Sequence, residues 1–239
     1  MPNPKGSPGE TDLLPRTGKK DPIALKPADG NFFIYLAAFV GSWTIYVLWA
    51  YPQVQALGEE TFSYAFASLA IRLVLWVLPV LLMVRIDDAA EPLRTLGLIE
   101  NASRGLLIGL GLAAIMLAIA FLRFGWPRDI GTHVTWNGIL GTSLGIGFFE
   151  EIPFRGYVLQ KLWKRMNFWL ANILTSLIFV SVHLPGWFLL QRFMPSLALN
   201  VFLIGFVLGL LFRYSRSLWS CIIVHDVNNF ISGVLFPGR

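Results

Sequence analysis

Charge is scarce in this sequence. Only 14% of its 239 residues are charged, against about a quarter in soluble domains, and that deficit excludes a soluble globule with an ordinary surface. Cysteine is nearly absent. Cys221 stands alone in an apolar run, so no intramolecular disulfide can staple the chain. The N-terminus lacks the compact apolar segment that a cleavable signal peptide carries behind its first charges. The last residues, Phe236-Pro-Gly-Arg239, hold no cysteine for lipidation. No period of 20–50 residues marks a repeat array, and no HExxH is present to mark the common helical zinc peptidases.

What is abundant is apolar: 55% of residues are hydrophobic and the mean hydropathy is +0.62. Several runs approach the ~20 residues that span a bilayer. The expected fold is all-α, a polytopic transmembrane bundle of about seven spans, at 32–51, 62–84, 105–122, 136–159, 168–184, 195–212 and 218–236. Residues 1–31 are polar and proline-rich and read as a disordered tail. Residues 32–94 hold two leading helices, and 95–239 form the core. The net charge of +5 in such a chain marks cytoplasmic loops rather than nucleic-acid binding. With an N-terminus in the cytoplasm, the inner segments hold Lys5, Arg16, Lys19, Lys20, Lys26, Arg85, Arg94, Arg104, Lys161, Lys164, Arg165, Arg213 and Arg216. The outer ones hold only Arg123, Arg128, Arg192 and Arg239. That bias predicts N-in, C-out. Arg72 and Arg155 fall within spans. The glycine pairs Gly105/Gly109, Gly141/Gly145 and Gly205/Gly209 read as close-packing points between helices.

Against this background the segment FFEEIPFRG, 148–156, stands out. Ionisable residues inside a span are costly and point to function. On a helix Glu151 and Arg155 share a face, so they are expected to pair; a buried ion pair that fixes helix register is the purely structural alternative. Glu150 lies about 100° away and needs a partner on another helix or in water. Pro153 removes a backbone donor, frees the Phe149 carbonyl and predicts a distortion there. His183 closes the fifth span. In the seventh, His225 and Asn229 share a face, while Asp226 and Asn228 point elsewhere and are expected to cap or to contact waters on the lipid side. His133, in a polar outer loop, reads as unremarkable surface. Counting 1.5 Å per residue, Glu150, His225 and His183 reach overlapping depths and can meet.

Glu150-Glu151-x-x-x-Arg155, Phe179-x-x-x-His183 and His225-x-x-x-Asn229 together resemble the three successive motifs of the CPBP family. These are the type II CAAX prenyl endopeptidases and bacteriocin-processing, Abi-like glutamic intramembrane proteases. The resemblance covers about residues 95–236. It implies a membrane endopeptidase in which Glu150 activates water as general base, His183 orients that water, and His225 with Asn229 stabilises the oxyanion. Glu151 and Arg155 are implied as the supporting pair. No metal or cofactor is implied. The implied partners are membrane lipid and a membrane-associated or lipidated peptide or protein, with no nucleic acid. The implied location is a membrane, with a bacterial plasma membrane and a cytoplasmic N-terminus expected. The cavity joining these residues is expected to open towards the cytoplasm or inner leaflet. Two other readings stay open: a zinc peptidase using the same glutamate and histidines, and a non-proteolytic membrane regulator of the same family.

Overall fold

The computed structural model describes residues 28–87, 91–127 and 134–237. Among them there is no strand, and seven long helices pack into one bundle. They are α1 (Gly30–Gln55), α2 (Phe62–Ile86), α3 (Ala102–Phe124), α4 (146–163), α5 (Phe168–Leu189), α6 (Pro195–Ser215) and α7 (Leu218–Leu235). All but α4 are long and apolar enough to cross a membrane. Helix α4 carries Glu150, Glu151, Arg155 and Lys161, and every residue from Glu150 to Leu162 is buried. It is the charged axle, and the six apolar helices shield it. The chain is an integral membrane protein.

Local chemistry sets the helix ends. Asp29, Thr61, Asn167 and Ser217 each accept a backbone N–H of the following turn, capping α1, α2, α5 and α7. The bond from the Phe32 N–H holds the Asp29 carboxyl below its ordinary range. Most of the expected tail, 1–27, lies outside the described residues. Its last part does not behave as a tail: Ala28 is buried and its N–H donates to the Lys161 carbonyl.

The expected fourth span, 136–159, is not one helix. A single wide turn at Asn137–Gly141 is followed by a break, and the helix begins only at Ile146. Gly145 sits at φ 102°, a conformation that glycine adopts without strain. The pair Gly141/Gly145 therefore does not lie on a helix face. The other two pairs do bring helices together. A Cβ at Gly109 would meet Ile223 and the Ser220 backbone at 3.0–3.1 Å, so α3 lies close against α7. A Cβ at Gly209 would collide with the Asn172 side chain, which reaches past it to donate to the Phe206 carbonyl at 2.9 Å.

Pro153 has the effect its chemistry dictates. The backbone widens to i→i+5 spacing over Ile152–Val158, which accommodates the missing donor without breaking α4.

One buried ion pair looked like two loop charges in sequence. Lys161, fully buried, bonds both oxygens of buried Asp87 at 2.9 and 3.0 Å, tying the end of α2 to α4. Removing one partner leaves the other charge buried alone. We expect Lys161→Met to cost about 3–5 kcal/mol of stability, and Lys161→Met with Asp87→Leu to recover most of it. Unfolding in detergent measures both; strictly additive losses would show the two charges are not coupled.

Candidate active site

Glu151 lies at the centre of a buried polar cluster. Its Oε1 accepts from Arg155 Nη1 at 2.8 Å and stands 2.8 Å from His225 Nδ1. Glu151 and Arg155 are fully buried, and His225 is 4% exposed. Arg155 continues to α6, where Nη2 donates to the Gly205 carbonyl at 2.7 Å. Its guanidinium also lies over the Phe179 ring of α5, 4.9 Å from the centroid. A side chain at Gly205 would meet Arg155 at 3.3 Å and Phe179 at 3.2 Å, so this contact needs glycine. One ion pair thus touches four helices.

The carboxylate at Glu151 accepts only, so His225 Nδ1 carries the proton and Nε2 is turned the other way. Nε2 faces Glu150 Oε2 at 3.7 Å. His183 is fixed by the same logic: its Nδ1 lies 2.8 Å from the Phe179 carbonyl, which can only accept. The proton therefore sits on Nδ1, and Nε2 is left as an acceptor. The Asn228 side-chain amide donates to Asn229 Oδ1 at 3.4 Å, which leaves the Asn229 NH₂ group available.

Glu150, His183, His225 and Asn229 line one cavity of about 300 Å³, with Phe179, Leu197 and Val201 among its apolar walls. The sequence motifs named all of these polar residues, and the structure brings them together. His133 lies outside the described residues. Among the described residues, no three His, Cys, Asp or Glu side chains are arranged to hold a metal ion.

Three residues at the site were given no part in it from sequence. Asp226, expected to point elsewhere and to cap or contact waters, caps the start of α4: its carboxylate accepts the Gly147 N–H at 2.7 Å and the Gly145 N–H at 3.1 Å. That sets the register in which Glu150 enters the cavity. Gly147 allows it, since a Cβ there would meet Asp226 and the Ile222 carbonyl, each at 2.8 Å. Trp43 of α1 donates Nε1–H to the Val182 carbonyl at 2.9 Å, satisfying a helix-end acceptor beside His183. Arg72 of α2 reaches the cavity itself. A charge inside an apolar span was the available signal for Arg72 and Asp226; the Trp43 bond had none.

The cavity's depth in the bundle can be read along α4. At one end of the bundle Ala28 and Asp87 bond Lys161, and the Thr95 carbonyl accepts from Gln160 Nε2; this is the end bearing most lysines and arginines. Glu150 lies eleven residues from Lys161, about 16 Å along α4, and only about 6 Å from Ile146. Ile146, Thr142 and Ser232 line the cavity at that opposite, base-poor end. The cavity thus lies towards the end of the bundle opposite the one at which α1 begins.

Residues 136–231 match the family described as type II CAAX prenyl endopeptidase Rce1-like. That segment is similar to the CPBP family. The family is one of membrane-embedded peptidases. No curated protein and no solved structure matches the chain significantly. The matched core contains α4 to α6 and most of α7; it starts later than residue 95, and α1, α2 and α3 lie outside it.

Within the matched segment, Glu151→Gln would leave Arg155 buried without its counter-charge and remove the carboxylate that bonds His225. We expect a loss of about 3–5 kcal/mol, seen as depleted folded protein and a lowered unfolding temperature. Normal thermal stability of that variant would show that the pair is solvated.

Proposed function

We propose that this protein is a glutamate-dependent intramembrane endopeptidase acting on a membrane-associated protein or peptide, as its CPBP core implies. The observation that carries the reading is the convergence of Glu150, His183, His225 and Asn229 on one cavity. A water in the cavity would give a proton to Glu150 while donating its other proton to His183 Nε2. The resulting hydroxide attacks the scissile carbonyl carbon. The oxyanion so formed is held by the Asn229 NH₂ group and by a proton on His225 Nε2, with the neighbouring carboxylates as countercharge. Glu150 then returns its proton to the leaving amine as the C–N bond breaks. Glu151 and Arg155 hold the His225 ring in the orientation this needs.

The orientation follows from the basic residues. A cytoplasmic N-terminus puts the lysine- and arginine-rich end inside. The cavity then lies in the outer half of the membrane, and its substrate approaches from that half. After replacement of Cys221, a cysteine at Glu60 should react with a membrane-impermeant maleimide in intact cells, and one at Lys164 should not. The reverse pattern would turn the cavity towards the cytoplasm.

Catalysis is tested with purified protein in liposomes and a membrane-embedded peptide library read by mass spectrometry. Glu150→Gln should fold and release no cleavage product. Asn229→Ala should fold and cleave about 10²–10³ more slowly. Chelators should leave the rate unchanged. Cleavage that persists in Glu150→Gln would sink the mechanism and leave a regulator built on the same fold.

A further inference from the structure

Arg72 has no role in the reading above, and it lies on α2, outside the segment matched to the family. An arginine in the middle of a span is costly and calls for a partner. The two fully buried cations of the bundle have theirs: Arg155 holds Glu151 and Lys161 holds Asp87. Arg72 does not. Its Nη1 donates to the Ser68 carbonyl at 3.4 Å, and its guanidinium lies 5.9 Å from the Trp43 ring centroid. Its Nε is buried and finds no acceptor, and among the described residues no carboxylate bonds it. The side chain nonetheless lines the same cavity as Glu150, His183, His225 and Asn229. Glu151 is already committed to Arg155 and His225, and Glu150 forms no ion pair with Arg72.

We propose that Arg72 is a specificity-determining residue that binds a carboxylate of the peptide substrate. The assignment rests on the endopeptidase reading above. A guanidinium presents paired N–H donors in the plane that a carboxylate matches, and the half-buried setting of Arg72 makes the bond stronger than it would be in open water. The cavity, about 300 Å³, is at the small end of ligand sites. The anion and the scissile bond are therefore close together in the substrate. The apolar walls at Leu197, Val201 and Ile204 of the same cavity favour a substrate that is otherwise apolar there. The carboxylate is either the free C-terminus of the peptide or an acidic side chain near the cleavage point.

The test separates the two sources. Glu150→Gln protein in nanodiscs is titrated calorimetrically with N-acetyl-Ala-Val-Leu-Leu as the free acid, the same peptide as its C-terminal amide, and the amide of N-acetyl-Ala-Glu-Leu-Leu. A free acid that binds about 10- to 100-fold tighter than the neutral amide supports Arg72 with the C-terminus as ligand. The same preference shown only by the glutamate peptide supports it with a side chain as ligand. In either case Arg72→Gln must erase the preference, and Arg72→Lys, which keeps the charge but not the fork, must keep part of it. Thermal unfolding confirms that both variants are folded; if Arg72→Gln is not, the partial loss in Arg72→Lys is the deciding measurement. Equal binding of all three peptides, no binding of any, or a preference untouched by either substitution overturns the assignment. Cleavage of the free acid by Glu150→Gln would refute the catalytic role of Glu150 and leave the Arg72 result to be read separately.

Discussion

A carboxylate with no access to water is the constraint on which this bundle is built. Glu151 is fully buried in an apolar protein, and an uncompensated charge there would cost more than most single interactions contribute. Arg155 supplies the opposite charge from one turn away, but that brings a second charge into the interior with five donors of its own. The guanidinium then reaches outwards, to the Gly205 carbonyl and the face of Phe179, while its Nε is left without an acceptor. His225 takes the remaining approach to Glu151 Oε1. Each partner comes from a different helix, so satisfying Glu151 fixes how α4, α5, α6 and α7 sit against one another. The small residues follow from this. Gly205 and Gly147 stand where a Cβ would press on the polar groups or on the helix that carries them.

The leading helices support this arrangement from the other side. An aromatic chain runs from Tyr35 and Phe39 of α1 through Trp76 of α2 to Phe154 of α4 and Phe179 of α5, with successive centroids 4.8–5.8 Å apart between Phe39 and Phe179. Edge-to-face contacts of this kind are directional, so they hold ring positions as well as burying area. Phe179 also packs against both histidines of the site, at 4.9 Å from His183 and 5.9 Å from His225. Trp43 stacks edge-on against Trp76 and holds the Val182 carbonyl. Helices α1 and α2 lie outside the segment matched to the family, yet the geometry of its site depends on them.

Legibility in the sequence followed the contrast between a residue and its surroundings. Glu150, Glu151, Arg155, His183 and His225 stood out because a polar group in an apolar run must have a reason, and helical spacing paired Glu151 with Arg155 and His225 with Asn229. The seven helices were legible from run length. Lys161 and Asp87 were not, because each lies where a span gives way to a loop and looks like an ordinary end charge. Their burial depends on helix packing, which no local pattern encodes. The late start of α4 was missed for a related reason. Residues 136–145 are apolar enough to extend a span, and only the geometry at Gly141–Gly145 shows that the chain turns first. Asp226 needed knowledge of which backbone amides would lie opposite it, and these belong to a segment about eighty positions away.

Two adjacent glutamates in one helix divide the work because of the angle between them. Neighbouring residues on an α-helix point about 100° apart, so Glu151 faces into the packed interior while Glu150 faces the cavity, with 7% of its surface exposed. The same helix therefore carries a structural carboxylate in a dry setting and a second carboxylate within reach of water. His225 connects them, with one ring nitrogen on each. Asp226, the next residue on α7, fixes where α4 begins and so where both glutamates fall. Just past the pair, Pro153 opens the wide turn over Ile152–Val158, which shifts the later part of α4 by a fraction of a turn while leaving the Glu151–Arg155 contact intact. A rigid charged scaffold and a second carboxylate facing a cavity thus share one site, and their separation is set by consecutive positions on one helix and by the helix next to it.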